Sequence, residues 1–368
     1  MDIHSKVIPL HLLPLGFIEA FLHFGSNLGD LLKNTQINEN MLTAKDVKIS
    51  YAQQCQLVLN GIESCNLPGL GILVGQTIDW SYNGPVGGVA NCSPTLADAG
   101  KAFLRYAMIA QPYYAMYLTT PHVYVDNRGM VVTPLRYFVS EGHDPKLFTF
   151  EFEYRLAKLL RLWDMCGNKS VENTDVLVGL NFPEPAHGHL YRELPCTSVD
   201  FNCDQSYVAA HYTFVTTPWR LFRKHAFDRI IQQSEEEFQN ANIESDYTGK
   251  VRWHISTLFN QQASLEKVAE IMGLSPRALT RKLAAENTSF RAVMHDVRME
   301  IVSYHLQSSN LSVDQIAEIM GFSSASSLRR AIKNWSGAAA GDLRYDIPDH
   351  AVSAYIADRP RELHRVGS

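Results

Sequence analysis

Two stretches in the last third of the chain repeat one another, and this repeat constrains the fold more than any other feature. ASLEKVAEIMGLSPRALTRKL (263–283) and LSVDQIAEIMGFSSASSLRRAI (311–332) share Ala-Glu-Ile-Met-Gly, then Leu or Phe, then Ser, centred on Gly273 and Gly321. Ser264 and Ser312 stand where an N-cap belongs, since a serine oxygen satisfies the free amides of a new helix. Val268, Ala269 and Met272 form an inner stripe after the first cap; Ile316, Ala317 and Met320 do so after the second. Gly273 and Gly321 follow the last turn, where a left-handed backbone favours glycine. Ser275 then caps another helix with Pro276 at its first position, and Ser323 or Ser324 takes that role in the second copy. Helix, tight glycine turn, helix is the helix-turn-helix geometry.

Such a unit places the N-terminal part of its second helix in a DNA major groove. The outward positions suit that task. They include Arg277, Thr280 and Arg281 in the first unit and Ser324, Ser326, Arg329 and Arg330 in the second. Arginine pairs bidentately with guanine, and serine or threonine meets bases or phosphates. Lys282 and Lys333 are placed for phosphates. Leu279, Leu283, Leu328 and Ile332 point inward. Residues 264–344 carry ten Lys and Arg against eight Asp and Glu, so cations must cluster on one face to attract DNA. The whole chain has a formal net charge of −5, which excludes a uniformly basic nucleic-acid coat protein. Between the units, SFRAVMHDVRMEIVSYHLQSS reads as a helix capped by Ser289, with Val293, Val297, Ile301 and Tyr304 on one face. About eighteen residues span roughly 27 Å, enough to set two units about one DNA turn, ~34 Å, apart.

These segments resemble the DNA-binding domain of the AraC/XylS family. The likeness runs from GLSPRALTRKL, through a linker helix with a central Arg298, to GFSSASSLRRAIKNWSG. The chain departs where the family continues Ser-Pro-x-x-Tyr-Arg, having Ala339, Ala340, Gly341, Asp342, Leu343 and Arg344 instead, and Leu328 replaces the usual Phe. Upstream, GLGILVGQTIDWSYNGPVGGVANCSPTLADAGKAFLRY and FPEPAHGHLYRELPCTSVDFN resemble effector-domain segments of the subgroup related to the ornithine-utilisation regulator. The resemblance implies an N-terminal domain that senses a small molecule and helps form homodimers. It also implies promoter DNA as partner, with RNA polymerase as a further one.

The N-terminal part mixes patterns. Residues 15–60 read as helical, whereas 66–95 are rich in Gly and Pro and read as turns and short extended pieces. Thr95–Ala110 reads as a helix capped by Ser93 or Thr95. YYAMYL, HVYVD, MVVTPLRYFV and LFTFEFEY alternate like strands, Tyr154–Cys166 reads as a helix stopped by Gly167, and 175–216 looks extended. The polar stretch 219–245 reads as a helical connector.

The expected architecture is therefore multidomain. An α+β effector and dimerisation domain (1–217) leads through a connector (218–250) to an all-α domain (251–346) with two helix-turn-helix units joined by a linker helix. A tail (347–368) follows. Arg105, Tyr106, His122 and Tyr124 are candidate effector contacts; the aromatic strands around them equally suit sheet core, and Arg105 a structural ion pair. His187 and His189 beside Glu184 lack further ligands at a usable spacing, so no metal is expected. The six cysteines, Cys196 and Cys203 among them, read as reduced structural thiols. GxGxxG, GxxxxGK[ST] and GxSxG are absent, and no nucleophile–base pair is evident, so neither a cofactor nor an enzymatic role is expected. The N-terminal apolar run, broken by Pro9 and Pro14, is too short to span a bilayer and has no basic flank, which points to a cytoplasmic protein without a membrane partner. A regulator controlled by a protein partner or by abundance is the alternative to effector control.

Overall fold

The structure, a computed structural model, describes residues 4–44, 46–100, 124–125, 128–135, 144–167, 169–172, 174–218, 222–240, 247–257, 263–308, 312–337 and 339–341. The N-terminal part is α+β. Strand β1 (Lys6–Pro9) pairs antiparallel with β2 (Lys48–Ser50). Between them lie helix α1 (Leu13–His23) and two short helices, α2 (Leu28–Leu32) and α3 (Glu39–Thr43). Helix α4 (Tyr51–Cys65) begins at a full capping box, in which Ser50 accepts from Gln53 N–H and the Gln53 side chain accepts from Ser50 N–H.

Residues 66–95 are helical rather than turn-like. Helix α5 (Leu70–Thr77), a 3₁₀ turn (Trp80–Asn83) and helix α6 (Pro85–Cys92) occupy this stretch. The glycines that suggested turns are there for close packing. A Cβ on Gly71 would lie 2.4 Å from the Phe150 carbonyl oxygen, and one on Gly75 would lie 2.5 Å from that of Tyr154. Two glycines four residues apart thus let α5 lie backbone to backbone on helix α7 (Pro145–Cys166).

Helix α7 is also the reason that LFTFEFEY is not a strand. Asp144 caps it, Pro145 opens it, and it runs unbroken to Gly167. Phe150 and Tyr154 face one core with Phe17 and Phe21, at ring separations of 5.1–6.2 Å. Phe152, Leu156 and Leu160 face a second core on the sheet. A helix buried on two sides carries apolar residues closely enough to imitate strand alternation.

Beyond α6, Thr95 accepts from Asp98 N–H and caps a helical segment at 96–100. A five-stranded sheet then forms in the order β3-β4-β7-β5-β6, from β3 (Tyr124–Val125), β4 (Met130–Pro134), β5 (Val176–Gly179), β6 (Ser198–Asp200) and β7 (Tyr207–His211). Only β5 and β6 are parallel. Val131, Val176, Val178, Val208 and Ala210 fill the face toward α7. Two short helices, α8 (Gly188–Arg192) and α9 (Tyr212–Thr216), interrupt the stretch read as extended.

Helix α10 (Lys224–Asn240) covers most of the polar connector. It is not solvated all round: Phe227, Ile230 and Ile231 pack on Val86 and Val89 of α6 together with Leu12. The C-terminal part is wholly helical among the described residues, with α11 (Tyr247–Thr257), α12 (Leu265–Ile271), α13 (Pro276–Ala285), α14 (Phe290–Ser308), α15 (Val313–Ile319) and α16 (Ala325–Ser336) around one core. No single helix among the described residues is long and apolar enough to cross a membrane.

Candidate nucleic-acid interface

Each half of the repeat builds the same scaffold from local hydrogen bonds. Ser264 Oγ accepts from Lys267 N–H at 3.1 Å and starts α12. Gly273 takes a φ of +65°, and Leu274 N–H returns to the Ala269 carbonyl at 2.9 Å, closing the helix end. Ser275 then accepts from Ala278 N–H and, with Pro276 behind it, starts α13. In the second half, Ser312 and Gln315 form a capping box, Gly321 has a φ of +71°, and Phe322 N–H returns to the Ala317 carbonyl. Of the two candidate caps there, Ser324 is the one used. It forms a reciprocal box with Ser327, each bond 3.2 Å. The turn from glycine to cap is thus one residue longer in the second unit.

The inner residues are those the spacing indicated. Val268, Ala269, Leu279, Leu283, Ile316, Ala317, Leu328 and Ile332 are all buried. The linker α14, 19 residues long, starts with Ser289 accepting from Ala292 N–H and buries Val293, Val297, Ile301, Val302 and Leu306. Arg298 at its centre is partly buried, which lowers its pKa from the usual guanidinium value.

Arg277, Thr280, Arg281, Ser324, Ser326, Arg329, Arg330 and Lys333 are exposed. The Arg277, Arg281, Arg329, Arg330 and Lys333 side chains make no ion pair or hydrogen bond within the described protein. Two other cations of this part are held, Lys267 by Glu270 at 2.9 Å and Arg252 by Asp296 at 3.6 Å. Thr280 Oγ1 donates back to the Pro276 carbonyl, leaving its oxygen lone pairs outward. Lys282 differs from the rest. It is half-buried, with its Nζ 4.1 Å from the Tyr247 ring centroid.

Beside it is a contact with no local signature in the sequence. Glu286, the C-cap of α13, accepts from the amides of Tyr247 and Thr248 at 2.7 Å each and from the Thr248 hydroxyl at 2.6 Å. A carboxylate from one helix thereby caps the N-terminus of another. Burial by itself would raise the Glu286 pKa; these hydrogen bonds outweigh it and hold the carboxyl below its usual value.

Of the candidate effector contacts, Arg105, Tyr106 and His122 lie outside the described residues, and Tyr124 is placed only as backbone of β3, opposite Val132. His187 and Glu184 are not brought together as ligands. His187 Nε2 meets Glu153 Oε1 at 2.5 Å, and Glu184 forms a two-pronged pair with Arg192 at 2.6 and 2.7 Å. Among the described residues no cluster of three His, Cys, Asp or Glu is set to hold a metal. The six cysteines are unpaired.

Two family descriptions match this chain: the arabinose-binding domain of AraC transcription regulators, N-terminal, over residues 25–215, and a helix-turn-helix domain over 268–345. The chain is 24% identical over 340 residues to the ornithine utilization regulator of Pseudomonas aeruginosa, covering 90% of this chain and 96% of that one. It is 27% identical over 121 residues to the regulator VqsM of the same organism, covering 32% of this chain and 37% of that one. A crystal structure of the transcriptional regulator CdpR from Pseudomonas aeruginosa aligns over 74% of this chain and 85% of that one, with 16% identity and a TM-score of 0.37.

Proposed function

This chain belongs to the AraC transcription regulators, and from that premise we propose that it reads a specific promoter with both helix-turn-helix units under the control of a small effector. The observation that carries the reading is the pair of capped second helices presenting five cations with no partner among the described residues. Arg281 and Arg330 occupy the same place after their caps and are the strongest candidates for guanine; Arg277, Thr280, Ser326 and Arg329 flank them. Lys333 and Ser324 serve phosphates, whereas Lys282 braces Tyr247 and adds only its charge. The linker α14, roughly 28 Å long at 1.5 Å per residue, sets the two helices in successive major-groove segments.

The working form is a homodimer acting in the cytoplasm, in contact with RNA polymerase at the promoter. Residues 1–217 bind effector and dimerise, 218–250 connect and 251–346 read DNA; the expected tail, 347–368, lies outside the described residues. The name of the Pseudomonas relative makes L-ornithine the first effector to try. The test is a gel-shift titration on DNA from immediately upstream of its own gene, at two salt concentrations with unrelated competitor. A shift that survives competitor is expected. Loss of the shift to competitor, for the full chain and for fragment 251–346 selected against random-sequence DNA, would overturn the reading.

A further inference from the structure

The core of the N-terminal part holds a cation that no carboxylate among the described residues pairs with directly. Lys158, on α7, is 4% exposed. Its Nζ donates to Asn83 Oδ1 at 2.6 Å and to the Tyr154 hydroxyl at 3.0 Å, both neutral groups. The Trp80 and Tyr154 ring centroids lie 4.9 and 5.4 Å away. Asn83, Trp80 and Tyr154 are themselves buried. No carboxylate among the described residues forms an ion pair with this ammonium, and burial pushes its pKa down to about 7. A buried charge without an ionic partner works against folding, and buried groups perturbed in this way concentrate at functional sites.

Its position is as telling as its charge. Asn83 ends the 3₁₀ turn, and Gly84 and Pro85 lead straight into α6. Helix α6 is the surface on which α10 lies, with Val86 and Val89 against Phe227, Ile230 and Ile231. The hydrogen bond from Lys158 therefore fixes the root of the helix that seats the connector.

We propose that Lys158 is the anchor for the carboxylate of a small organic-acid effector, with Asn83, Tyr154 and Trp80 as its surround, and that occupancy is passed through α6 to α10. The proposal rests on effector control as read above and adds the ligand class and the contact. The incoming carboxylate pairs with the ammonium and competes with Asn83 Oδ1 for it. A bond present in the free state and altered in the bound state is the differential contact that a population shift requires.

Full-length protein is titrated by calorimetry with the L-amino acids, including L-ornithine, and with linear two- to eight-carbon monocarboxylates, each beside its amide or decarboxylated counterpart. A carboxylate that binds while its counterpart does not is expected, with affinity at least tenfold weaker in Lys158→Gln, which keeps a donor for Asn83 but no charge. Lys158→Arg, which keeps the charge, should retain more of the affinity, and circular dichroism checks that both variants fold. Affinity for the wild type should fall as pH rises through about 7, because the ammonium loses its proton, and this dependence should vanish in Lys158→Gln. Among the described residues the charged groups facing Lys158 are Asp79, at the cap of the 3₁₀ turn, and Arg161, one turn along α7; the neighbouring Tyr154 phenol is pushed far above its usual value by burial, and α6 has no charged side chain. Binding unchanged in Lys158→Gln overturns the anchor and leaves effector control standing. Equal binding of acid and amide overturns the carboxylate class. No binder in the panel overturns the anchor and the carboxylate class, and leaves effector control standing.

Discussion

Aligned on their N-caps, Ser275 and Ser324, the second helices of the two units put the same kind of residue inside. Leu279 matches Leu328 and Leu283 matches Ile332, all fully buried. The outer places agree only once, at Arg281 and Arg330. Elsewhere Arg277 stands opposite Ser326, Thr280 opposite Arg329, and Ala284 opposite Lys333. The places eleven residues after the caps differ too. Glu286 caps α11, whereas its counterpart Trp335 packs on Phe322 and His295 with ring centroids 5.9 Å from each. One packing solution therefore holds two different reading faces. The first unit carries a cation at the start of its helix, Arg277, that the second lacks; the second carries Arg329 and Lys333, farther along, where the first has none.

The shared interior is broken most severely by Leu279→Ala or Leu328→Ala. Each should cost about 2–5 kcal/mol, as for other fully buried leucines, and denaturant unfolding of the full chain would show it as a lowered midpoint for the C-terminal part. Equal losses would confirm equivalent cores; a much smaller loss in one unit would show that it relaxes around the cavity.

Next come the matched arginines. Arg281→Ala and Arg330→Ala should each weaken specific DNA binding by about 1–3 kcal/mol with helicity intact, measured by gel shift against competitor. Unchanged affinity in both would sink the docking arrangement. Loss in only one would show that a single unit reads bases.

The brace unique to the first unit is smaller in effect. Glu286→Ala removes a cap and should cost about 1–2 kcal/mol. Because the folded carboxyl lies below its unfolded value, its contribution is complete above the unfolded carboxylate range and is lost as pH falls through the lowered folded value. An acid titration of stability should therefore flatten in the variant. Trp335 offers no such titration, so an identical flattening in Trp335→Phe would remove the distinction between the units. Smallest is Lys333→Ala, which should weaken binding to all sequences alike and reduce the salt slope by about one, whereas Ala284→Lys in the first unit should add a comparable increment.

The helix-turn-helix scaffold was legible because its determinants are local. Ser264, Ser275 and Ser312 each act on an amide three residues away, and Gly273 and Gly321 act through their own φ. Even there, the choice between Ser323 and Ser324 hung on a turn one residue longer, which the repeat alone left open. The determinants of the N-terminal part lie far apart in the chain. Gly71 and Gly75 look like turn residues until α7 is laid against them, and the alternation of LFTFEFEY looks like a strand until both of its cores are in place. Glu286 shows no local pattern at all, since the amides it caps lie 38 and 39 residues away.

The sequence by itself determined the periodicities, caps and glycine turns of the C-terminal units, and with them the class of partner, because each signal is complete within a few residues. Tertiary structure alone decided which glycines are contacts rather than turns, which face of the connector is covered, and that Lys158 lies buried between neutral partners. Those outcomes depend on what a second segment, far along the chain, brings to the same place, and no local pattern carries that information.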